Sequence, residues 1–368
     1  MELTKSGNFL VMNKLKISIN AKRITSAYGG GNQAANALED YLVKKGHYVY
    51  RKLIPNLDVI LIFSSKSSFN NTYDYDDILD YIYAYPNTVV IQRVNSCDEP
   101  RGTDLGINSS MLRNNQLADY TVFISKFVKE LFEAKGMKSQ ENSQIILNGG
   151  DSKIFYPSKS KNIDKKFKIV THHWSSNFMK GFDIYERLDQ LLDTQPFKDL
   201  FEFTYIGNMP LGVILKKTVV IEPLFGSNLA EHLRNHHIYL TAARNEAAGM
   251  HHIEGMLCGL PVLYLNSGAL PEYCKPFGIE YSLINFEEKL MEIKNQYYAL
   301  QKKVLNCNYT SKQMASQFEK IIIELVSKKR TNPKLGAKKS KVLINKLVRR
   351  PYRKIKNLFI KTINYYQR

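Results

Sequence analysis

Residues 237–273 read HIYLTAARNEAAGMHHIEGMLCGLPVLYLNSGALPEY and contain three adjacent structural elements. Residues 238–240 and 262–265 are short apolar runs, a pattern typical of buried strands. The run between them, residues 250–258, has a helical composition and ends at Gly259-Leu260-Pro261, where glycine and then proline stop a helix. A strand, a helix and a strand in this order predict an α/β fold.

Two glutamates bracket the start of this helix. Glu246 falls in the loop and Glu254 falls inside the helix. If the whole segment were helical, the two side chains would be about 80° apart around the axis and would not share a face. A helix start with free N–H groups can instead hold a phosphate between the two acids. The sequence therefore predicts that the amides of Gly249, Met250 and His251 bind the phosphates of a nucleotide-sugar.

The segment from Glu246 onward resembles the donor site of a known enzyme family. Glu246-x7-Glu254, followed by GMLCGLPVL and SGALPE, is similar to the signature of retaining GT-B glycosyltransferases, in particular glycosyltransferase family 4. The resemblance implies that Glu246 lies beside the donor sugar and that Glu254 binds the ribose hydroxyls. The alternative is a pair of surface glutamates beside an ordinary strand–helix–strand unit.

Two short segments differ from the family pattern. Ala242-Ala243 stand where the family usually has Pro-Ser, and Ala247-Ala248-Gly249 replace the usual Gly-Phe-Gly. Both segments flank Glu246, so they concern the identity of the donor sugar more than the fold.

A second donor motif lies upstream. Lys180-Gly181 match the end of the family pattern Arg-x4-Lys-Gly, whose two cations hold the diphosphate. Ser176 or Asn177 stands near the place of the arginine, so one cation is missing. A lysine there stabilises the leaving group as the glycosidic bond breaks. The resemblance implies a catalytic role for Lys180 beside Glu246, and donor contacts from Asn177 and from Gly207, which precedes the nucleotide-base pocket.

A glycine-rich loop follows the first predicted strand, residues 15–19. Gly29-Gly30-Gly31 precede a predicted helix at residues 32–45. A dinucleotide fingerprint would need an acid at the end of the next strand, but Arg51-Lys52 stand there. The triple glycine resembles the family's first loop, which implies that Gly30 and Gly31 face the donor phosphates. The alternative is a flexible turn.

Polar residues follow the strand predicted at residues 87–92, namely Arg93, Asn95 and Asp98. Ligands of doubly wound sheets bind at the carboxyl ends of strands. We therefore predict that these three residues contact the hydroxyls of a sugar acceptor. Many related enzymes have a His-Asp pair here, and this chain has no histidine at that place. A polar loop with local hydrogen bonds is the alternative.

Two patterns invite a metal-binding interpretation. Asp74-x-Asp76 opens a predicted helix at residues 78–85, where acids suit the helix dipole, so we interpret it as a helix cap. His172-His173 are adjacent and no third ligand is evident, which favours a hydrogen-bonded role. We predict no metal, and no cofactor apart from the nucleotide diphosphate sugar used as substrate.

The positive charge is concentrated at the C-terminus. The 368 residues carry a net charge of +18, yet fifteen Lys and Arg and no acid lie between residues 328 and 368. Apolar residues recur there at helical spacing: Tyr352, Ile355, Phe359, Ile363 and Tyr366. A basic amphipathic helix is typical of binding to an anionic membrane surface. A solvated, disordered tail is the alternative.

Composition limits the class further. Hydrophobic residues make up 44%, as in globular proteins, and four scattered cysteines suit a reducing cytoplasm. No apolar run approaches the roughly 18 residues of a membrane-spanning helix. Residues 1–12 lack signal-peptide features and are expected to be a disordered lead-in. We predict a cytoplasmic protein, peripheral at the inner face of the plasma membrane.

The predicted fold class is α/β, a GT-B arrangement of two Rossmann-like domains facing across a cleft, with a basic amphipathic C-terminal tail. Residues 1–157 would form the acceptor domain, residues 166–326 the donor domain and residues 327–368 the tail. The resemblance implies retaining, metal-independent hexosyl transfer from a nucleotide diphosphate sugar. We expect a lipid-linked saccharide as acceptor, in the synthesis of a surface polysaccharide such as capsule or lipopolysaccharide.

Two alternative functions remain open. A GT-B sugar-nucleotide epimerase would use similar nucleotide contacts without an acceptor. The basic tail also suggests a nucleic-acid-binding protein, but the rest of the chain is nearly neutral and has no recognised reader motif, so we predict no nucleic-acid partner.

Overall fold

The computed structural model describes residues 14–24, 30–64, 71–138, 142–158 and 165–331, which contain two parallel six-stranded sheets. The first sheet has the order β2-β1-β3-β4-β5-β6. Its strands are β1 (Lys16–Ile19), β2 (Tyr48–Tyr50), β3 (Val59–Ile62), β4 (Val89–Val94), β5 (Tyr120–Phe123) and β6 (Ser143–Ile145). Its helices are α1 (Gly30–Lys44), α2 (Tyr75–Ala84), α3 (Ile107–Asn115) and α4 (Lys126–Ala134).

The second sheet has the order β12-β11-β10-β7-β8-β9. Its strands are β7 (Phe167–His173), β8 (Phe201–Gly207), β9 (Val219–Ile221), β10 (Ile238–Thr241), β11 (Val262–Leu265) and β12 (Gly278–Tyr281). The helices are α5 (Phe182–Leu191), α6 (Phe197–Leu200), α7 (Gly226–Arg234), α8 (Met250–Leu257), α9 (Leu270–Cys274), α10 (Phe286–Asn295), α11 (Tyr297–Val304) and α12 (Ser311–Thr331).

Helices cover both faces of the first sheet, which explains why its central strands are apolar throughout. All four residues of β3 are buried. Leu38 of α1 and Phe318 of α12 belong to the core on one face, and Ile78 of α2 belongs to the core on the other. Parallel sheets covered on both faces require such continuous apolar strands. The predicted α/β class with Rossmann-like sheets is confirmed.

The last helix, α12, returns from the second sheet to the first. Met314, Ala315 and Ile322 pack in the same core as α1. The Tyr41 hydroxyl also donates to Glu319 Oε2 at 3.0 Å. The final helix therefore packs on the first domain, although it follows the second sheet in the chain.

The carboxyl ends of β4 and β5 face the second domain. One apolar cluster contains Phe123 and Val128 from the first domain together with Ile253 and Tyr273 from the second. The Tyr273 hydroxyl donates to the carbonyl oxygen of Ile124 at 2.6 Å. The two domains thus share a core directly below the predicted site.

Two predicted element ends differ from the structure. Helix α1 begins at Gly30, not at residue 32, because its first turn packs against the second domain, as described below. Strand β4 continues to Val94, so Arg93 lies within the strand and not in the loop after it. The residue that packs against the start of α1, Met250, lies more than 200 residues away and is not visible in the local sequence.

Some predictions fall outside the described residues. These are the lead-in at residues 1–12, Gly29, most of the linker at residues 158–166, and the tail after Thr331. No helix within the described ranges is both long and apolar enough to cross a membrane.

Candidate functional site

The loop between β10 and α8 carries Glu246, and the turn after β11 holds that loop in place. The backbone N–H of Ala269 donates to the carbonyl oxygen of Glu246 at 2.7 Å. Gly268 has a φ of +60°, and a Cβ there would lie 2.4 Å from the Glu246 backbone nitrogen. Only glycine tolerates both conditions. The SGALPE turn therefore fixes the position of Glu246.

Helix α8 begins beside Glu246 without a capping side chain. Its N-cap residue, Gly249, offers no side-chain hydrogen bond to the first turn. A Cβ on Gly249 would lie 2.5 Å from the His251 ring and 3.1 Å from Glu246 Cδ. The missing side chain thus leaves the helix start open beside the carboxylate, with N–H groups suited to an anion.

Lys180 and Glu246 form a partly buried ion pair at this helix start. The distance from Lys180 Nζ to Glu246 Oε2 is 2.6 Å. Burial opposes ionisation of Glu246, but the charge and hydrogen bond of Lys180 outweigh it, so the pKa of Glu246 is lowered. A Cβ on Gly181 would lie 2.3 Å from Ala242. Small residues at both positions let the turn that carries Lys180 pack against the end of β10.

Glu254, inside α8, is anchored from β7. His172 Nε2 lies 2.9 Å from Glu254 Oε2, and His172 Nδ1 lies 3.1 Å from the Tyr239 hydroxyl. A Cβ on Gly255 would lie 2.4 Å from the Tyr239 ring, so this glycine makes room for the tyrosine. The hydrogen-bonded role predicted for His172 is confirmed.

Three further histidines surround this pair and are held neutral. His173 Nε2 lies 2.7 Å from the Tyr185 hydroxyl, and His251 Nε2 lies 2.9 Å from Thr241 Oγ1. Neither ring nitrogen of His252 has a hydrogen-bond partner among the described residues. Burial lowers the pKa of His173 and His251 well below the ordinary value and that of His252 to about 4. At neutral pH these rings add no charge to the site.

The start of α1 faces the start of α8. A Cβ on Gly30 would lie 2.4 Å from Met250 Cγ, so the two helix N-termini nearly touch. A Cβ on Gly31 would lie 3.0 Å from Asn95 Nδ2. The structure thus brings Gly30 and Gly31 to the start of α8, across the cleft from Glu246. Their contact with donor phosphates stays a prediction.

The predicted acceptor residues lie nearby in different settings. Arg93 is buried, and its Nη2 donates to Asn148 Oδ1 at 2.5 Å. Asn95 donates to the Phe63 carbonyl oxygen at 3.1 Å. The carboxylate of Asp98 accepts backbone N–H groups of residues 105, 107 and 108, at 3.0, 3.2 and 3.0 Å. This favours the local role for Asp98, and its contact with an acceptor stays a prediction.

No family model and no curated protein matches the chain. Solved structures do. A glycosyltransferase from Rickettsia africae is similar with a TM-score of 0.60 and 15% identity, over 85% of this chain and 99% of that one. Anabaena HepE in complex with UDP-glucose has a TM-score of 0.61 and 12% identity, over 84% and 100%. WaaG, a glycosyltransferase involved in lipopolysaccharide biosynthesis, has a TM-score of 0.58 and 13% identity, over 84% of this chain and 99% of WaaG.

The chain has the GT-B fold. The two sheets are the two GT-B domains, and the cleft between them is the one that holds Glu246 and Gly30. The predicted fold, two Rossmann-like domains facing across a cleft, is confirmed.

Two other predicted donor residues border the GT-B cleft through structural contacts. Asn177 Oδ1 accepts the N–H of Met179 at 2.8 Å, and its Nδ2 donates across the cleft to the Arg101 carbonyl oxygen at 3.2 Å. A Cβ on Gly207 would lie 2.0 Å from the His173 carbonyl oxygen, so β7 and β8 require glycine there. Donor binding by both residues stays a prediction.

The Asp74-x-Asp76 pattern is a helix cap in the GT-B first domain. Asp74 accepts the N–H of Asp76 at 2.9 Å, and Asp77 accepts the N–H of Asp74 at 3.0 Å. This reciprocal capping box is what the helix interpretation predicts. Within the described residues, no group of three His, Cys, Asp or Glu side chains is arranged to hold a metal ion.

Sequence reasoning missed several residues of the site. Tyr239, Asn148 and Tyr273 take part in its hydrogen-bond network, although each lies far from its partner in the chain. Tyr239 lies within β10, Asn148 lies three residues after the end of β6, and Tyr273 lies within α9. A polar residue in an otherwise apolar strand, such as the Tyr239 phenol, needs a buried partner.

Proposed function

We propose that this protein is a retaining glycosyltransferase that moves a hexosyl group from a nucleotide diphosphate sugar to an acceptor hydroxyl. The observation that carries the proposal is the Lys180–Glu246 ion pair at the uncapped start of α8, with Glu254 buried in the same helix. A cation beside free N–H groups suits the diphosphate of such a donor, and the two carboxylates suit its two sugars. The similarly folded HepE was solved with UDP-glucose, which supports this class of donor.

Each part of the donor has a residue suited to it. The diphosphate would lie at the N–H groups of Gly249, Met250 and His251 with Lys180 beside them. Glu254, anchored at one oxygen by His172, would present the other oxygen to a ribose hydroxyl. Glu246, ionised because of Lys180, would accept hydrogen bonds from the transferred sugar.

In the proposed reaction, the bond between the anomeric carbon and the diphosphate oxygen breaks. The acceptor oxygen bonds to that carbon on the same face, and its proton passes to the leaving phosphate. Lys180 and the α8 N–H groups stabilise the negative charge that develops on the diphosphate. Protein groups then supply electrostatic stabilisation, and we expect no requirement for a metal ion.

The acceptor would bind mainly to the first domain. A cavity of about 500 Å³ lies next to the Asp98 loop and is lined by Asp98, Glu99, Asn108 and Lys135 among others. The loop that borders it reaches the second domain, because the Arg101 carbonyl oxygen accepts a hydrogen bond from the Asn177 side chain. A saccharide in this cavity could extend one hydroxyl toward the donor, and we propose that Arg93 and Asn95 contact the acceptor nearer the reaction centre.

We further propose a lipid-linked acceptor and a role in surface polysaccharide synthesis, such as capsule or lipopolysaccharide, at the inner face of the plasma membrane. The support is the basic, amphipathic sequence of residues 328–368. An enzyme that extends a lipid-linked saccharide must work where the lipid is held. WaaG, of the same fold, is involved in lipopolysaccharide biosynthesis.

A thermal-shift screen against a panel of nucleotide sugars tests the donor assignment. We expect one nucleotide family to raise the melting temperature of the wild type and not that of Glu254→Gln. Incubation of the stabilising donor without acceptor then separates the alternatives. Isomerised sugar nucleotide would identify an epimerase and contradict transfer. Transfer activity should survive EDTA, and recovery only with Mn²⁺ would contradict the metal-independent scheme.

A further inference from the structure

Arg93 is a buried cation that forms no ion pair with any acid in the described part of the chain. The residue is 2% exposed, and its guanidinium lies 5.0 Å from the centre of the Phe63 ring. Nη2 donates to Asn148, but Nε and Nη1 have no hydrogen-bond partner among the described residues. Phe63 and Asn148 carry no formal charge, so neither neutralises the guanidinium.

The electrostatic setting of Arg93 is unfavourable in the ligand-free protein. Burial lowers the pKa of Arg93 to about 10, and among the described side chains only Tyr273 acts in the opposite direction. Burial also raises the pKa of Tyr273, which keeps this phenol neutral. Residues 25–29 and 65–70, which follow β1 and β3 in the sequence, contain no Asp or Glu. A buried charge that lacks a counter-ion is costly, which suggests that its partner comes from a ligand.

Arg93 lies close to the proposed reaction centre. Its partner Asn148 donates through Nδ2 to the carbonyl oxygen of Ala248 at 2.8 Å, in the loop that carries Glu246. Two residues along the chain from Arg93, Asn95 lies against Gly31 at the start of α1. Asn148 and Ala248 belong to opposite sides of the cleft, so a ligand would reach the guanidinium only if the cleft opens at this contact.

We propose that Arg93 binds an anionic group, a phosphate or a carboxylate, carried by the acceptor next to its reacting hydroxyl. The unpartnered Nε and Nη1 supply the hydrogen bonds, and the oxyanion supplies the missing charge. The inference rests on the proposed glycosyl transfer and narrows its acceptor to acidic or phosphate-bearing saccharides. It places a cation on the first domain that is separate from Lys180, the cation of the donor side.

A structural role for Arg93 predicts a different stability. If Arg93 mainly held Asn148 and thereby the two domains, Arg93→Met would lower the melting temperature of the ligand-free protein. If Arg93 is kept for a ligand, exchanging an unneutralised buried charge for an apolar side chain leaves that melting temperature unchanged or raises it. The ligand-free melting temperature therefore distinguishes the two roles.

The test measures thermal unfolding of the full chain with saturating UDP, so that the donor phosphate site is filled. Inorganic phosphate and glucuronate are titrated separately, as probes for a phosphate and a carboxylate. We expect at least one of them to stabilise the wild type, and to bind Arg93→Met at least tenfold more weakly. Arg93→Lys keeps the charge but lacks the guanidinium, and the anions should stabilise it only weakly. This second variant keeps the test decisive if Arg93→Met does not fold.

Four outcomes overturn the inference, and the first three concern the anion response and the stability of the variants. These three are a wild type that responds to neither anion, variants that respond as the wild type does, and a ligand-free Arg93→Met that melts several degrees lower. A response that disappears when UDP is added would assign the anion to the donor site and also contradict the proposal. If UDP itself fails to stabilise the wild type, the donor assignment fails, and the anion titrations without UDP still decide the role of Arg93.

Discussion

His172 anchors Glu254 through a hydrogen bond of 2.9 Å between Nε2 and Oε2. A carboxylate only accepts hydrogen bonds, so Nε2 carries the hydrogen and Nδ1 is the acceptor for the Tyr239 hydroxyl. That hydroxyl in turn accepts the backbone N–H of His172 at 3.2 Å. The chain from Tyr239 to His172 thus fixes both the tautomer of the ring and the direction of the Glu254 carboxylate.

We predict that His172→Phe raises the KM for the nucleotide-sugar by about 10-fold or more, with kcat nearly unchanged. A lost hydrogen bond to a charged group costs about 1.5–3 kcal/mol, and the proposed ribose contact of Glu254 would be made equally in the ground and transition states. Tyr239→Phe, which keeps His172, should have a smaller effect. A fall in kcat at constant KM would contradict a positioning role.

We predict that Lys180→Met lowers kcat by about 10²-fold or more, because one donor to developing charge is typically worth that much. Lys217→Met is a matched control, since Lys217 forms an exposed pair with Asp193 at 2.7 Å in the same domain. Steady-state kinetics on both variants make the measurement. Equal losses in the two variants would show that Lys180 has no special role at the diphosphate.

We predict that Gly268→Ala displaces Glu246 and strongly lowers activity while the fold is kept. A Cβ at Gly268 would meet the backbone of Glu246 at 2.4 Å. Gly136→Ala is the matched control, because Gly136 also has a positive φ, +84°, but has nothing within 4 Å of its Cβ position. Both variants bear similar backbone strain of roughly 1–2 kcal/mol, and only the first should lose activity. Similar activity in the two would rule out positioning by the turn.

We predict that the free energy of unfolding falls as the pH is lowered from about 6.5 toward 4. The folded-state pKa values of His173, His251 and His252 lie below the unfolded value, so in this range the unfolded chain binds more protons than the folded protein. Each such histidine contributes about 1.4 kcal/mol per pH unit. Urea titrations at several pH values measure how steeply the free energy of unfolding depends on pH. His252→Leu should reduce this slope by the contribution of one proton. An unchanged slope would contradict a neutral His252.

We predict that the basic tail holds the protein on anionic vesicles. Each Lys or Arg near such a surface contributes about 1 kcal/mol, and added salt should release the protein. A chain that ends at Thr331, where α12 ends, is the comparison, because Val326 is still buried in the core. Equal sedimentation of both chains with anionic liposomes, or binding by neither at low salt, would contradict the tail hypothesis.

The sequence by itself determined several central elements and their order. The strands β1, β4, β10 and β11 are local apolar runs, and the glycine and proline after α8 mark its end wherever the segment packs. The position of Glu246 in a loop and of Glu254 in a helix follows from the same local signals. Element ends were less predictable: Gly30 is a poor helix former, and α1 starts there only because its glycines fit against Met250 and Asn95.

Only the tertiary structure decided which side chains pair. Lys180 lies 66 residues from Glu246, and His172 lies 82 residues from Glu254, so no local spacing reports either contact. Both pairs form because parallel strands β7 and β10 are neighbours, which places the ends of distant segments at one edge. The same holds for Arg93: its residue type was visible in the sequence, but its lack of a counter-ion is a property of the packed interior, where no water replaces the missing partner.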